Sequence, residues 1–264
     1  QGRLLAVPPV EAHMLRAADP SNPGERLAAA AVILRPEQAL AALMASSVVR
    51  CGDRVLDVEE RDETVALRLE SGDTLEADLA LLCAGSALAQ WPGADALRVT
   101  ARLGQLEWVE RPVAAPRAVS DGGFAIEAFG RLAFGATFET EGPRTAGAAA
   151  AARAHNLHVL GRLRADIDVE ALAPLVRSRV SVRATTPDRL PFAGLMPGAR
   201  SKRVQVIGGL GARGWTWAPL LAEIVASNAF GEPWPCEAFV ADALSPDRFA
   251  RRAALRSGRR KTER

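Results

Sequence analysis

Four closely spaced glycines give this sequence its clearest candidate for chemistry. They are Gly208, Gly209, Gly211 and Gly214, and they lie within Val204–Ala226, which begins with β-branched residues and ends with apolar residues at helical spacing. The pattern predicts a buried strand, a tight turn and an amphipathic helix. A helix that begins directly after such a turn points unpaired N–H groups and its positive dipole end at the turn. The expected occupant is an electron-rich oxygen of a ligand.

The spacing Gly209-x-Gly211-x-x-Gly214 also matches the dinucleotide-binding fingerprint, but the sequence around it does not. That fingerprint requires a second strand and an acidic residue about 20 positions later. The segment Gly231–Cys236 that follows contains two prolines, which excludes a central strand. A strand-to-helix turn that holds no ligand therefore remains an alternative interpretation.

The composition is that of an ordinary globular protein, with 264 residues, 48% hydrophobic and 24% charged. The formal net charge of +2 does not by itself indicate nucleic-acid binding. Cys51, Cys83 and Cys236 lack CxxC or Cys/His spacing, so neither a disulfide framework nor a zinc site is expected, and a reducing cytoplasm fits. No apolar run approaches the roughly 20 residues that cross a bilayer, so no membrane association is expected. Three histidines give histidine-centred catalysis little support.

Several elements are expected to position the glycine turn. A helix is predicted from Glu37 to Ala45, with Pro36 in its first turn. Alternating patterns at 55–59 and 65–69, with a hairpin turn at 71–73, predict a meander of strands. The apolar run Leu79–Cys83 predicts a buried strand that ends in the small residues Ala84 and Gly85. Ligands in open α/β sheets bind at such strand ends.

From residue 98 onward the sequence predicts mainly antiparallel strands and one long helix. Further strands are predicted at 99–109, 124–129, 131–138 and 179–183, with an alanine-rich helix at 145–164. Residues 184–194 predict a long loop, and loops of that length inside a domain are often functional.

Several segments, in this order, resemble the D-amino-acid-oxidase-type family of FAD-dependent oxidoreductases. They are Val55–Val58, Leu82–Gly85, Gly104–Gln105, Arg183–Gly194 and Gly209–Gly214. The resemblance implies an α/β (α+β) fold, in which a Rossmann-like FAD-binding domain is interleaved with an antiparallel-sheet substrate domain. It places the FAD-binding segments at 31–97 and 201–264, and the substrate-binding domain at 1–30 and 98–200. The family's opening GxGxxG turn does not occur here, so either the chain is a fragment or its cofactor site is incomplete.

The resemblance also implies cofactor roles for particular residues. The backbone of Val55 is expected to contact the adenine, and Ala84 and Gly85 to pass close to the ribose and phosphates. Gly209 belongs to the same cofactor-binding set. The N–H groups of the turn are expected to face a flavin carbonyl and to stabilise negative charge on the reduced ring. The residues assigned to that task are Gly211, Ala212, Arg213 and Gly214.

In related amino-acid oxidases, residues at positions like Arg183 and Arg213 hold the substrate carboxylate. A planar guanidinium can bind a carboxylate with two parallel hydrogen bonds, which fixes the substrate's α-carbon over the flavin. Surface salt bridges are the alternative interpretation of both arginines. Trp215 and Trp217 are expected to pack in the core or near the flavin edge.

Within the family, three stretches most resemble a branch that acts in tRNA wobble-uridine modification. They are Val182–Pro191, Leu210–Gly214 with Ala218–Glu223, and Leu244–Phe249. The implied reaction is oxidation of the glycine-like C–N bond of a carboxymethylaminomethyl group, with FAD as cofactor and oxygen as the final oxidant. The substrate is a small amine or modified uridine that carries a carboxylate. The basic tail Arg248–Arg264 is a possible contact for tRNA. A free-standing amino-acid or glycine-type oxidase that acts without RNA, and a non-catalytic remnant of the fold, remain as alternatives.

Overall fold

The computed structural model describes residues 12–15, 31–140 and 145–262. In chain order, the strands are β1 (Ala12–Leu15), β2 (Ala31–Leu34), β3 (Val55–Glu60), β4 (Val65–Leu69), β5 (Thr74–Ala77), β6 (Ala80–Leu82), β7 (Thr100–Glu110), β8 (Arg117–Ser120), β9 (Phe124–Ala128), β10 (Arg131–Gly135), β11 (Glu139–Thr140), β12 (Arg177–Thr185), β13 (Phe192–Leu195) and β14 (Val204–Gly208). The helices are α1 (Pro36–Leu43), α2 (Ala146–Leu163), α3 (Val169–Leu172), α4 (Gly214–Phe230), α5 (Ala238–Leu244) and α6 (Arg248–Thr262). Short 3₁₀ turns cover Gly85–Gln90, Ala94–Leu97 and Ala173–Leu175.

The strands combine antiparallel sheets with one parallel pairing. β3, β4 and β5 form an antiparallel meander, as their alternating sequence predicts. β14 lies between β13, to which it is antiparallel, and β6, to which it is parallel. A larger sheet has the order β11-β7-β10-β9-β8, and β12 also pairs with β7. This mixture of helices, antiparallel sheets and a parallel pair confirms the α/β class.

The chain divides into two compact units. The first comprises Gln1–Arg50, Gly104–Phe138 and Gly142–Val180, and the second comprises Cys51–Leu103, Glu139–Glu141 and Ser181–Arg264. The predicted division into FAD-binding and substrate-binding segments assigns roles as well as ranges, and it stays a prediction.

In the first unit, α2 packs against β9 and β10. The helix begins where the Thr145 hydroxyl accepts a hydrogen bond from the N–H of Ala148 at 3.1 Å, a typical N-cap. Leu132 and Phe134 of β10 and Leu160 of α2 are fully buried in one cluster. Each such side chain contributes about 1.5–3 kcal/mol through burial, so this packing holds the sheet and helix together.

In the second unit, two apolar clusters lie on either side of the β13–β14 pair. One contains Phe192 and Val206 together with Leu88 of the 3₁₀ turn. The other joins Leu221 of α4 to Leu244 of α5. The glycine turn therefore connects a strand and a helix that are both anchored in apolar cores.

The structure corrects the expectation of a long loop at 184–194. Residues 184–194 do not form one long loop, because β12 continues to Thr185 and β13 begins at Phe192. Phe192 is fully buried and pairs with Gly208 of β14, so the last residues of the predicted loop belong to a strand instead. The basic tail forms a helix as far as Thr262. β8 was not predicted, since its mostly exposed residues show no clear alternation of apolar and polar positions.

Candidate cofactor and substrate site

A cleft of about 670 Å³ in the second unit lies between the start of β3, the end of β6 and the 3₁₀ turn that follows. Val55 and Ala84, both predicted to contact the cofactor, line this cleft together with Leu82 and Trp91. Its volume falls in the range of ordinary ligand sites. The mixture of an apolar wall with backbone groups at two strand ends suits a planar ring attached to a sugar.

The backbone at both strand ends is open to a ligand. Among the described strands β3 pairs with β4 alone, so one side of the backbone at Val55 lies outside the hydrogen bonds of that sheet. Gly85 has a φ of +58°, and a Cβ built there would meet nothing within 4 Å. The space beside Gly85 is therefore open, and the positive φ favours glycine there.

The glycine turn is tightly packed on one side. A Cβ on Gly208 would lie 2.6 Å from the Phe192 ring, and a Cβ on Gly209 would lie 2.8 Å from Cγ2 of Thr186. Gly209 and Gly211 have positive φ values of 68° and 55°. The packing and the backbone angles both require glycine at position 209.

Two of the four N–H groups predicted to face a flavin carbonyl are already used within the chain. The N–H of Gly211 donates to the carbonyl of Ala184 at 2.8 Å, and the N–H of Arg213 donates to the carbonyl of Leu210 at 3.1 Å. The turn uses these two groups to hold its own shape, and the expectation that they face a flavin carbonyl stays a prediction. Among the described residues, the N–H groups of Ala212 and Gly214 remain for a ligand at the start of α4.

The segments that carry the two predicted substrate arginines are joined. Ala184 follows Arg183 on β12, and Gly211 precedes Arg213 by two residues. The carbonyl of Ala184 accepts the hydrogen bond from the N–H of Gly211. The Arg213 side chain is exposed, and its Nη2 lies 3.4 Å from the carbonyl oxygen of Arg189. Arg183 is half-buried, and burial lowers the pKa of its guanidinium. The structure thus places both arginines on neighbouring backbone, and their role in binding a carboxylate stays a prediction.

Trp217 packs against the apolar cluster of α4, whereas Trp215 is about half exposed, at 47%. The expectation of core packing therefore agrees with the position of Trp217, whereas Trp215 lies largely outside the core.

A buried ion-pair cluster beside this site was not predicted. Arg248 is only 2% exposed, and its Nε and Nη2 donate to the two carboxylate oxygens of Asp188 at 3.0 and 2.9 Å. Arg252 donates to the same carboxylate at 2.7 Å. Burial alone would raise the pKa of Asp188, but the two arginines outweigh it and hold that pKa well below its ordinary value.

The start of the basic tail is therefore buried in this cluster. Arg248 opens the tail in the sequence, yet it is buried and paired. Asp188 and Arg248 both lie in segments that carried the resemblance to one branch of the family, at 182–191 and 244–249. Their presence in those segments was the available signal, but sixty residues separate them, and no local pattern could show that they meet.

No group of three or more His, Cys, Asp or Glu side chains in the described part of the chain could hold a metal ion. No helix in that part is long and apolar enough to cross a membrane. His155 and His158 lie exposed on α2, in the first unit.

Comparison with known protein families gives a match over most of the chain. Residues 10–228 match the family described as FAD dependent oxidoreductase (DAO). The chain is 38% identical over 193 residues to the tRNA 5-methylaminomethyl-2-thiouridine biosynthesis bifunctional protein MnmC of Caulobacter sp. (strain K31), which covers 70% of this chain and 31% of that protein. It is 34% identical over 256 residues to the protein of the same name from Burkholderia thailandensis, covering 83% of this chain and 38% of the relative. The chain thus spans about a third of the length of these curated relatives.

Solved structures with the same fold include two oxidases. Glycine oxidase from Geobacillus kaustophilus aligns with a TM-score of 0.65 and 22% identity, over 81% of this chain and 59% of that one. Iminodiacetate oxidase from Chelativorans sp. BNC1 aligns with a TM-score of 0.61 and 21% identity, over 80% of this chain and 57% of that one. At these identities the comparison establishes the fold alone.

Proposed function

The chain belongs to the D-amino-acid-oxidase-type family of FAD-dependent oxidoreductases, and we propose that it oxidises the C–N bond of a glycine-like secondary amine. The observation that carries the proposal is the junction between Ala184 and Gly211, which brings the arginine-bearing end of β12 to the glycine turn. This junction brings Arg183 and Arg213 close to the glycine turn. Two guanidinium groups beside a cofactor would bind a substrate that carries a carboxylate next to the reacting carbon.

The residues present fit the cofactor that the family implies. The cleft beside Val55 and Ala84 has the volume and open backbone for the adenosine half of FAD. The open space at Gly85 would admit the sugar and phosphates where a side chain would fill it. Ala212 and Gly214 would donate their N–H groups to a flavin carbonyl at the positive end of α4. When bound, FAD supplies the hydride acceptor for the reaction.

In the proposed reaction, Arg183 and Arg213 bind the substrate carboxylate and fix the orientation of the adjacent methylene. That methylene loses a hydride, and the amine nitrogen loses a proton to solvent, which leaves a C=N bond. Water adds to the imine carbon, and the C–N bond then breaks to give glyoxylate and a primary amine. Neutral amines need no acid–base side chain for hydride loss, so the exposed positions of His155 and His158 are consistent with this route.

A tRNA wobble uridine that carries a carboxymethylaminomethyl group is the substrate we propose. Such a group is a glycine-like secondary amine, and its conversion to an aminomethyl group follows the reaction above. The names of the curated relatives, which refer to tRNA 5-methylaminomethyl-2-thiouridine biosynthesis, support this choice. The basic end of the chain, residues 256–264, carries five cations and one acid and would add phosphate affinity.

The cofactor part of the proposal is tested by FAD binding to the purified chain. Titration should give a flavin absorbance band that remains with the protein on gel filtration. Ala84→Leu, which fills the cleft, should weaken FAD binding by about tenfold or more, the effect of excluding one ring from its site. Ala89→Leu is the matched control, because Ala89 is exposed on the same 3₁₀ turn and does not line the cleft. Equal FAD affinity in both variants would place the cofactor elsewhere.

The substrate part is tested by comparing two substrates with the loaded protein. Glyoxylate release from tRNA that carries carboxymethylaminomethyluridine would support the proposed function. Turnover of free glycine or N-ethylglycine, with none on tRNA, would instead support a free-standing amino-acid oxidase. A protein that binds no FAD and turns over neither substrate would be the non-catalytic remnant.

A further inference from the structure

The ion pair between Asp188 and Arg248 lies at the base of the loop that contacts Arg213. Arg248 makes two hydrogen bonds to the Asp188 carboxylate, one from Nη2 to the carbonyl of Leu190 at 2.7 Å, and one from Nη1 to the carbonyl of Ser245 at 3.2 Å. Its guanidinium also stacks 4.4 Å from the centre of the Phe249 ring. A buried guanidinium with this many partners has one orientation, so the start of α6 is fixed to the loop between β12 and β13.

The Asp188 carboxylate also organises the loop itself. Oδ1 accepts hydrogen bonds from the Leu190 N–H at 3.2 Å and from the Thr186 hydroxyl at 3.1 Å. Between these residues, Arg189 adopts a φ of +60°, which is uncommon for a residue with a side chain. A conformation of this kind persists only when its surroundings impose it. The Asp188 contacts impose it here together with two bonds inside the loop: the Thr186 hydroxyl, whose proton is shared, lies 2.6 Å from the Leu190 carbonyl oxygen, and the Arg189 N–H donates to the Thr186 carbonyl at 3.0 Å.

Two contacts connect this loop to the glycine turn. The carbonyl of Arg189 accepts the 3.4 Å hydrogen bond from Nη2 of Arg213, so the orientation of that carbonyl bears on the position of the Arg213 side chain. The methyl group of Thr186 packs against Gly209 so closely that a Cβ there would lie 2.8 Å away. A change in the loop therefore reaches both the backbone of the turn and its arginine.

We propose that Asp188 and Arg248 are positioning residues, which hold the 186–190 loop so that the Arg189 carbonyl sets the Arg213 guanidinium for the substrate carboxylate. Arg252 supports the pair from the exposed side of α6. The inference deepens the proposed function, since it depends on Arg213 being the carboxylate-binding group. It gives α6 a role in substrate binding in addition to any contact with RNA.

The test uses the FAD-loaded protein with Arg248→Lys, which keeps the positive charge and loses the planar, bidentate geometry. The first measurement is amide hydrogen exchange in peptides that cover 184–192 and 205–215. We expect exchange in these two peptides to rise by about tenfold or more, with the β3–β5 meander unchanged. Arg251→Ala is the control, because Arg251 lies on the same helix, is exposed, and pairs with Asp242 and Asp247 instead.

The second measurement is steady-state oxidation of N-ethylglycine. We expect Arg248→Lys to raise KM by about tenfold to a hundredfold with a smaller change in kcat, because the carboxylate-binding group is displaced and the reacting centre is not. Arg251→Ala should leave both constants unchanged. If Arg248→Lys does not fold, Asp188→Asn has nearly the same shape and takes its place with the same expected results.

The outcomes separate this inference from the proposed function. Unchanged exchange at 205–215 in a folded variant, or a uniform rise across the whole protein, would overturn the positioning role. A local rise with no change in KM would show that the loop does not control carboxylate binding, which also overturns it. If the wild-type protein oxidises no carboxylated amine but exchange still rises only in the two peptides, the mechanical link holds and the proposed function fails.

Discussion

At the scale of single residues, the site depends on what each polar group already binds. Within the described part of the chain the N–H groups of Ala212 and Gly214 have no partner, whereas those of Gly211 and Arg213 close the turn. The Arg213 backbone and side chain therefore have separate tasks. Its N–H holds the turn, and its guanidinium extends towards the loop at Arg189.

Replacing Arg213 should affect carboxylated substrates selectively. We expect Arg213→Ala to lower kcat/KM for N-ethylglycine by about 100-fold or more, which corresponds to roughly 3 kcal/mol for lost charge-assisted hydrogen bonds. FAD affinity should change little, because the backbone of the turn is intact. Arg179→Ala, an exposed arginine on β12, is the control and should behave as wild type. A similar loss for an amine without a carboxylate would argue against this role.

A second prediction at this scale concerns stability and pH. Hydrogen bonds from Arg164, both 2.8 Å long, lower the pKa of Asp166 to about 2. Because the folded pKa lies below the unfolded value of about 3.9, the stabilisation is fully present above pH 4 and is lost as the pH falls towards 2. In urea unfolding, Asp166→Asn should therefore be less stable than wild type at pH 7, and the difference should shrink towards zero near pH 2.

The matched control is Glu63→Gln, in the exposed turn between β3 and β4. It should show no comparable pH-dependent difference. A constant gap between wild type and Asp166→Asn from pH 7 to pH 2 would contradict the assignment of the stabilisation to this ion pair.

At the scale of elements, the strand, turn and helix at 204–230 were predictable because each has a strong local signal. β-branched residues fill β14, glycines follow at once, and helical spacing begins within α4. β13 was not predictable in the same way. Pro191 and the polar residues before it are typical of a loop, and only the distant partner β14 makes Phe192–Leu195 a strand. The same limit applies to the bond between Gly211 and Ala184, which sequence spacing cannot show.

Two glycines of the turn should respond differently to alanine. Gly209→Ala should destabilise the protein by about 1–3 kcal/mol, since the residue has a φ of +68° and its Cβ would meet Thr186 at 2.8 Å. Gly214→Ala should be nearly neutral, because its φ is ordinary, the nearest atom to a built Cβ is 3.8 Å away, and alanine suits a helix. Urea unfolding of both variants checks the contrast. Equal destabilisation would mean that the turn is not held against the loop.

At the scale of the whole molecule, the family and its fold could be inferred from the sequence, and the prediction of an FAD-dependent oxidoreductase is confirmed at the level of the family. The segments that resemble the family were sufficient to identify it, because they include the glycines and other small residues that the fold requires at its turns. The predicted FAD-binding and substrate-binding roles of the two units stay predictions. These roles depend on bound ligands, and the spacing of residues along the chain does not report ligand binding directly.

The basic end of the chain provides a prediction at this scale. Ending the chain after Leu255 removes five cations and one acid but retains Arg248, Arg251 and Arg252. We expect this truncated protein to bind tRNA more weakly, with a smaller dependence of affinity on salt concentration, and to keep its FAD spectrum. Filter binding between 50 mM and 200 mM salt, about the range over which phosphate contacts weaken most visibly, measures the slope. An unchanged slope would exclude this end as an RNA contact.

The link between Asp188 and Arg248 also bears on how such chains can be recombined. A chimera that takes the 186–190 loop from one parent and the α6 helix from another inherits the two ends of one buried ion pair separately. If the parent of the loop lacks a carboxylate at position 188, the hybrid contains Arg248 as an unpaired buried cation, a defect that typically costs several kcal/mol. Hybrid proteins of this kind, with a crossover point between the loop and the helix, should often fail to accumulate.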